Sequence, residues 1–197
     1  MFKTNSVGLE TVGARNFKLQ NDLTYHGKCG DFIVRAGFVT DFATVPRFLS
    51  WLIPTYGLYT LAAIVHDYLC VKLAIYHNLL MTYTDVKLMQ KFGWVYRDGE
   101  GITPPEGLTS SHDTDAIFRR IMRELEVPFL RRWLMWTGVR WGAMMNPARR
   151  AGILADLPKM LLVSVLSAPL VVPVSLFVAV GLLVDIIFEK LVGRFIK

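Results

Sequence analysis

A chain of 197 residues is long enough to bury a real core and too short for two full catalytic domains. Apolar residues make up 53% and charged residues 19%, with a mean hydropathy of +0.38, which is oilier than an ordinary soluble domain and excludes a disordered polymer. Lys plus Arg number 22 against 16 Asp plus Glu, a net charge of +6 that suits an anionic partner, nucleic acid or lipid headgroup alike.

Much of that positive charge falls in one stretch, at Arg119, Arg120, Arg123, Arg131, Arg132, Arg140, Arg149 and Arg150. A solvated helix face beside a core accounts for it as well as a binding surface does. Cys29 and Cys70 match no zinc ribbon or redox motif, so no disulfide scaffold is implied. The first residues carry no apolar run of a secretory signal, and Sec export is not expected.

In chain order, Phe17, Leu19, Leu23 and Tyr25 keep a period near two and predict a strand, which meets a Gly-rich turn at residues 27–30. Residues 32–39 predict a second strand, making an antiparallel hairpin. Asp41 then follows a strand end, and Pro46 suits the first turn of a helix through residues 47–52. Residues 58–73 read as a buried helix with His66 and Asp67 in its middle. A further helix is expected over 84–92, then a Gly- and Pro-rich excursion over 98–111. Capping residues at 111–114 open a helix carrying Ile117, Ile121, Met122 and Leu125 at helical spacing, which stops before Pro128. Residues 129–145 predict the next helix, ended by Asn146 and Pro147.

Residues 160–184 contain no charge. As a helix they would span ~37 Å, more than the ~30 Å of a bilayer's hydrocarbon. Pro169 and Pro173 each remove a backbone donor and favour kinks. Two readings stand: a membrane-embedded segment, or a helix pair buried in an assembly. Leu161, Leu166, Val171, Phe177 and Leu182 represent the surface that would meet lipid or a partner. The expected fold is α+β, mainly α: a small N-terminal antiparallel hairpin or sheet on a helical core over residues 1–150, with a hydrophobic helical extension over 151–197.

The sharpest chemical signal is His66-Asp67 inside an apolar helix, because two adjacent ionisable groups are costly to bury without partners or a role. Antiparallel packing of two helices would bring Asp115 to His66 and leave Asp67 with Asp41 near a cation. In the structural alternative these aspartates cap helices or pair with arginines. His77 and His112 fit no zinc motif with His66, and no G-x-S-x-G marks a serine nucleophile. Trp133, Trp136 and Trp141 among arginines read as a core face with a basic rim, or as a stacking or membrane-interface surface.

Gly37-Phe38-Val39-Thr40-Asp41-Phe42-Ala43-Thr44-Val45-Pro46-Arg47, Ala62-Ala63-Ile64-Val65-His66-Asp67-Tyr68-Leu69, Thr114-Asp115-Ala116-Ile117-Phe118 and the Trp133 to Arg140 stretch resemble, in order, the landmarks of a phage and prophage family known as domain of unknown function 1353. The likeness covers roughly residues 16–142 and implies a phage origin without supplying a reaction. It leads to the expectation of a virion component, associated with the tail or with genome ejection, whose partners are other phage structural proteins or host membrane lipids. An intracellular phage membrane protein is the neighbouring alternative, and nucleic acid is a less favoured partner.

The His-Asp pair with a later Asp-x-x-Phe is also similar to secreted phospholipase A2. That resemblance implies His66 as general base, Asp115 as its orienter and Asp67 as a calcium ligand; Asp41 would be a further ligand by position. The sequence departs from that pattern in having Cys70 at the family's tyrosine, no evident Gly-rich calcium loop and no disulfide framework.

Overall fold

The structure, a computed structural model, describes residues 2, 7–13, 16–27, 30–42, 47–54, 56–76, 110–146 and 149–195. It is mainly helical, with a small antiparallel β-layer at the N-terminal end and one long apolar helix at the C-terminal end, as the composition and patterning predict. The helix expected over 84–92, His77, Cys29 and nearly all of the 98–111 excursion lie outside the described residues.

Five strands form two units. β1 (Leu9–Thr11), β2 (Phe17–Leu19) and β5 (Val39–Thr40) make a three-stranded sheet with β2 in the centre, while β3 (Leu23–Gly27) and β4 (Gly30–Val34) form a hairpin in which Tyr25 opposes Phe32. The hairpin follows the alternation read from the sequence, but two details differ. The first predicted strand is cut in two after Leu19, and the second ends at Val34 rather than running to residue 39. The cause is Asp22: its carboxylate accepts from the Ala36 backbone N–H at 2.8 Å and from Arg35 at 2.7 Å, and Gly37 then takes φ +90°. The chain reverses there and returns as β5 beside β2. β1 escapes sequence reading because three residues show too little alternation to declare a strand.

The expected helix over 47–52 is a single 3-10 turn, Arg47–Leu49. The buried helix appears as α1 (Thr60–Tyr76), with Ala62, Ala63, Ile64, Val65 and Leu69 inaccessible to solvent. α2 (Ser111–Glu124) starts where Asp113 accepts from the Ser110 backbone N–H at 2.9 Å. It ends before Pro128 with Glu126 at φ +58°, while Val127 N–H reaches Met122 C=O and Glu126 N–H reaches Arg123 C=O. α3 (Phe129–Met145) follows as predicted, and α1, α2 and α3 pack in sequence around the core.

α4 (Ile153–Phe195) is one helix of 43 residues that runs through Pro158, Pro169 and Pro173. The break that the prolines suggested does not occur, so the tail is a single helix rather than a pair. Ile153, Asp156, Met160, Ser167 and Ser175 are buried and Ser164 and Val171 half-buried, a stripe at three- and four-residue spacing that faces α3 and the 3-10 segment. Trp141 Nε1 donates to Ser164 Oγ and Trp51 Nε1 to Ser175 Oγ, both at 3.2 Å. The remaining surface is largely apolar and, among the described residues, uncovered: Leu161, Leu166 and Phe177 are exposed, and Leu182 is half-buried.

Candidate functional site

α1 carries the His66-Asp67 pair into the core, and α2 brings Asp115 against it. His66 Nε2 lies 2.7 Å from Asp115 Oδ1, and the imidazole rests on the Phe118 ring at 4.8 Å. His66 is 7% exposed and Asp115 fully buried. On its other side, His66 Nδ1 is 3.6 Å from Asp67 Oδ1, while Cys70 Sγ, one turn along α1, shares the Nε2 side at 3.7 Å.

Asp115 serves more than the histidine. Arg140 Nη1 donates to its Oδ2 at 3.0 Å and Arg149 Nη2 to its Oδ1 at 2.9 Å. Arg140 is itself fully buried; its Nη2 donates to Ala151 C=O at 2.8 Å, and its Nε lies 3.0 Å from Asp156 Oδ2 without hydrogen-bond alignment. A chain of charge therefore runs from His66 on α1 through Asp115 on α2 and Arg140 on α3 to Asp156 in the first turn of α4. The basic-face reading of this stretch is corrected at two positions, because Arg140 and Arg149 face inward onto a carboxylate. Arg140 falls four residues after buried Trp136 and three before buried Ala143, so it occupies the apolar face of α3. That spacing was the available signal.

Asp67 and Asp41 occupy a neighbouring position at the end of β5. Thr40 Oγ1 donates to Asp67 Oδ2 at 2.5 Å and accepts the Phe42 backbone N–H at 2.9 Å. This holds Phe42 at φ +64°, a left-handed conformation unusual for a bulky residue, with its ring stacked 4.6 Å from Phe17. Asp41 is half-buried and close enough for its charge to act on Asp67.

The electrostatics separate the three groups. Burial disfavours the charged forms of both His66 and Asp115, but the contacts between them outweigh it. With Cys70, Asp115 and Asp67 around it, His66 is held well above 6.5, and Asp115, beside His66, Arg149 and Arg140, is held below the usual carboxylate range. Asp67 moves the other way, to about 6, because burial and the nearby Asp41 outweigh the hydrogen bonds from His66 and Thr40.

The sequence-derived constellation is thus brought together: His66 on Asp115, and Asp67 near Asp41. Calcium takes six to eight oxygens. Among the described residues no group of three or more His, Cys, Asp or Glu side chains could hold a metal ion. Asp67 already has one oxygen on Thr40 and the other toward His66. As it stands the arrangement can hold a proton on His66 and fasten four helices to one another.

No curated protein and no solved structure matches the chain. A family match covers residues 17–139, well over half of the sequence and the whole of the His66 and Asp115 constellation, and the chain belongs to that family, the proteins of unknown function DUF1353.

Proposed function

We propose that this protein is a phage component that engages a lipid bilayer through α4 and holds its family domain at that surface, in the particle or during genome ejection. The carrying observation is the state of α4. Ile153–Gly193 has a mean hydropathy of 2.7 over its most apolar window, and among the described residues only 6% of that window is buried. A helix that is apolar on nearly every side suits lipid better than one docking partner, which would need a single stripe. The stripe that does exist, through Ser164, Ser167 and Ser175, is already used by the protein's own body. Charges flank the uncharged run, with Asp156 and Lys159 before it and Asp185, Glu189 and Lys190 after it. The ordered motifs of the phage-like family support the phage context.

The test is membrane retention of the full chain after alkaline carbonate washing, beside a Val172→Arg variant. Val172 is exposed and near the middle of the uncharged run. An arginine at the centre of a crossing helix costs ~2.5–3.5 kcal/mol on insertion scales, so the variant should move into the soluble fraction. Wild-type protein released completely by carbonate would reject the membrane reading and return α4 to contacts with other phage proteins.

A second reading, lipid ester hydrolysis, has one observation in its favour: Nε2 of His66 is fastened to a buried carboxylate, the arrangement that orients an imidazole base. A base must be neutral, and His66 is held well above 6.5. Hydrolysis by this site would therefore rise toward alkaline pH. Fatty-acid release from anionic vesicles, followed with and without calcium beside His66→Ala and Asp67→Asn, tests it; undiminished release by His66→Ala would remove the site from the chemistry.

A further inference from the structure

Away from His66, α2 and α3 enclose a cleft of about 490 Å³ lined by Arg119, Arg120, Arg123 and Arg132 together with Phe129 and Trp133. Among the described residues the lining contains four guanidinium groups and no carboxylate. Three come from two adjacent turns of α2, and the fourth from the first turn of α3.

Aromatic rings hold two of these groups in place. The Arg119 guanidinium lies over Trp133 at 4.2 Å and over Trp136 at 5.1 Å, and Arg132 lies over Phe129 at 5.7 Å while donating to Val127 C=O at 3.3 Å. A guanidinium held over a ring can still direct N–H groups to a phosphate. Burial together with repulsion from Arg132 and Arg123 lowers the Arg119 pKa despite the charge of Asp156, so the cluster carries crowded positive charge. The guanidiniums over Trp133 and Phe129 compete with bases for those rings, which disfavours single-stranded nucleic acid. Phe129 is 69% and Leu130 49% exposed beside the cleft, an apolar lip next to a basic floor. An anionic lipid presents the matching pair of surfaces, a phosphate above hydrocarbon.

We propose that the α2–α3 cleft is a phosphate-binding site that takes the phosphate of an anionic lipid headgroup. In its lipid arm the inference rests on α4 engaging a bilayer; in its free-phosphate arm it stands alone.

The experiment uses the full chain in two arms. In the first, flotation is measured with phosphatidylcholine vesicles and with vesicles containing phosphatidylglycerol. In the second, protein in neutral-detergent micelles is titrated with inorganic phosphate and with glycerol 3-phosphate while tryptophan emission is followed, since Trp133 lies in the cleft. The variant is Arg120→Gln with Arg123→Gln, both exposed and so dispensable to the core; the control, Lys18→Gln with Arg150→Gln, removes the same charge elsewhere. The proposal expects saturable phosphate binding that the cleft variant weakens and the control does not. It also expects the variant to lose roughly thirtyfold in affinity for phosphatidylglycerol vesicles, with phosphatidylcholine unaffected. Phosphate binding without a phosphatidylglycerol preference would assign the cleft to a free phosphate compound and overturn the headgroup assignment. Equal losses in variant and control, or an oligonucleotide that binds the cleft more tightly than either phosphate probe, would overturn the proposal. Failure to float with either vesicle would count against the α4 reading and leave the titration to judge the cleft.

Discussion

Replacing Asp115 by Asn should be among the most damaging isosteric changes in this protein. The carboxylate is fully buried and is the common partner of His66 at 2.7 Å, Arg149 at 2.9 Å and Arg140 at 3.0 Å. The amide keeps one acceptor oxygen but turns an NH2 toward one of those donors and leaves fully buried Arg140 with Asp156 as its nearest remaining counter-charge. Removing one partner of a buried ion pair costs ~3–5 kcal/mol, because the other charge stays desolvated. At ~2–4 °C per kcal/mol for a chain of this size, the melting temperature should fall by roughly 6–20 °C. The assay is thermal and urea unfolding of the full chain in neutral-detergent micelles, followed by near-ultraviolet circular dichroism. A double-mutant cycle with Arg140→Gln should return a coupling of at least ~1 kcal/mol, as expected for residues in one network. A loss below ~1 kcal/mol for Asp115→Asn would refute the claim that this carboxylate fastens the helices.

Three further outcomes follow from the same geometry. Asp67 holds its proton up to about pH 6 in the folded chain and to 3.8 when unfolded, so stability falls as pH rises through that window; Asp67→Asn should abolish the fall, read from urea midpoints between pH 4 and 7. The raised His66 pKa acts in the opposite sense from a depressed one: its contribution is complete below 6.5 and is lost as pH climbs through the folded value, so His66→Gln should flatten the alkaline limb when the profile is extended above pH 7. Gly152 has φ +69°, and a Cβ there would sit 2.8 Å from the His112 ring; Gly152→Ala should cost ~2 kcal/mol or more by the same unfolding assay, and a neutral result would show that the α3–α4 connection can relax.

How much of this was legible depended on whether a residue's partner was near in sequence. The His66-Asp67 pair stood out because charge in an otherwise apolar helix is conspicuous, and Asp115 could be paired with it by assuming that two helices pack antiparallel. Arg140 and Arg149 could not be assigned in the same way. Eight arginines of one stretch look alike in composition; the spacing from Trp136 and Ala143 marks Arg140 as inward, but only packing shows that Arg149 turns inward while Arg120 and Arg123 stay exposed. The 35–38 reversal was hidden because Asp22 acts on Ala36 from fourteen residues away. The prolines of α4 misled in a different manner. Proline removes a donor, but a helix whose other turns are intact can continue past it, and the serine stripe held by Trp51 and Trp141 supplies support that local propensity does not contain.

The contacts along α4 give the helix the mechanics of a clamped beam. Asp156 and Ser175 mark the two ends of the clamp, about 28 Å apart at 1.5 Å per residue, and about 30 Å of helix continues past Ser175. Past Ser175 runs an arm about as long as the clamped one, and a sideways load on it is shared among the contacts at Ser175, Ser164 and Met160 before it reaches Asp156. Asp156 is the last link of the charge chain that reaches His66. Bending the tip therefore loads the serine stripe first and the buried charge chain last.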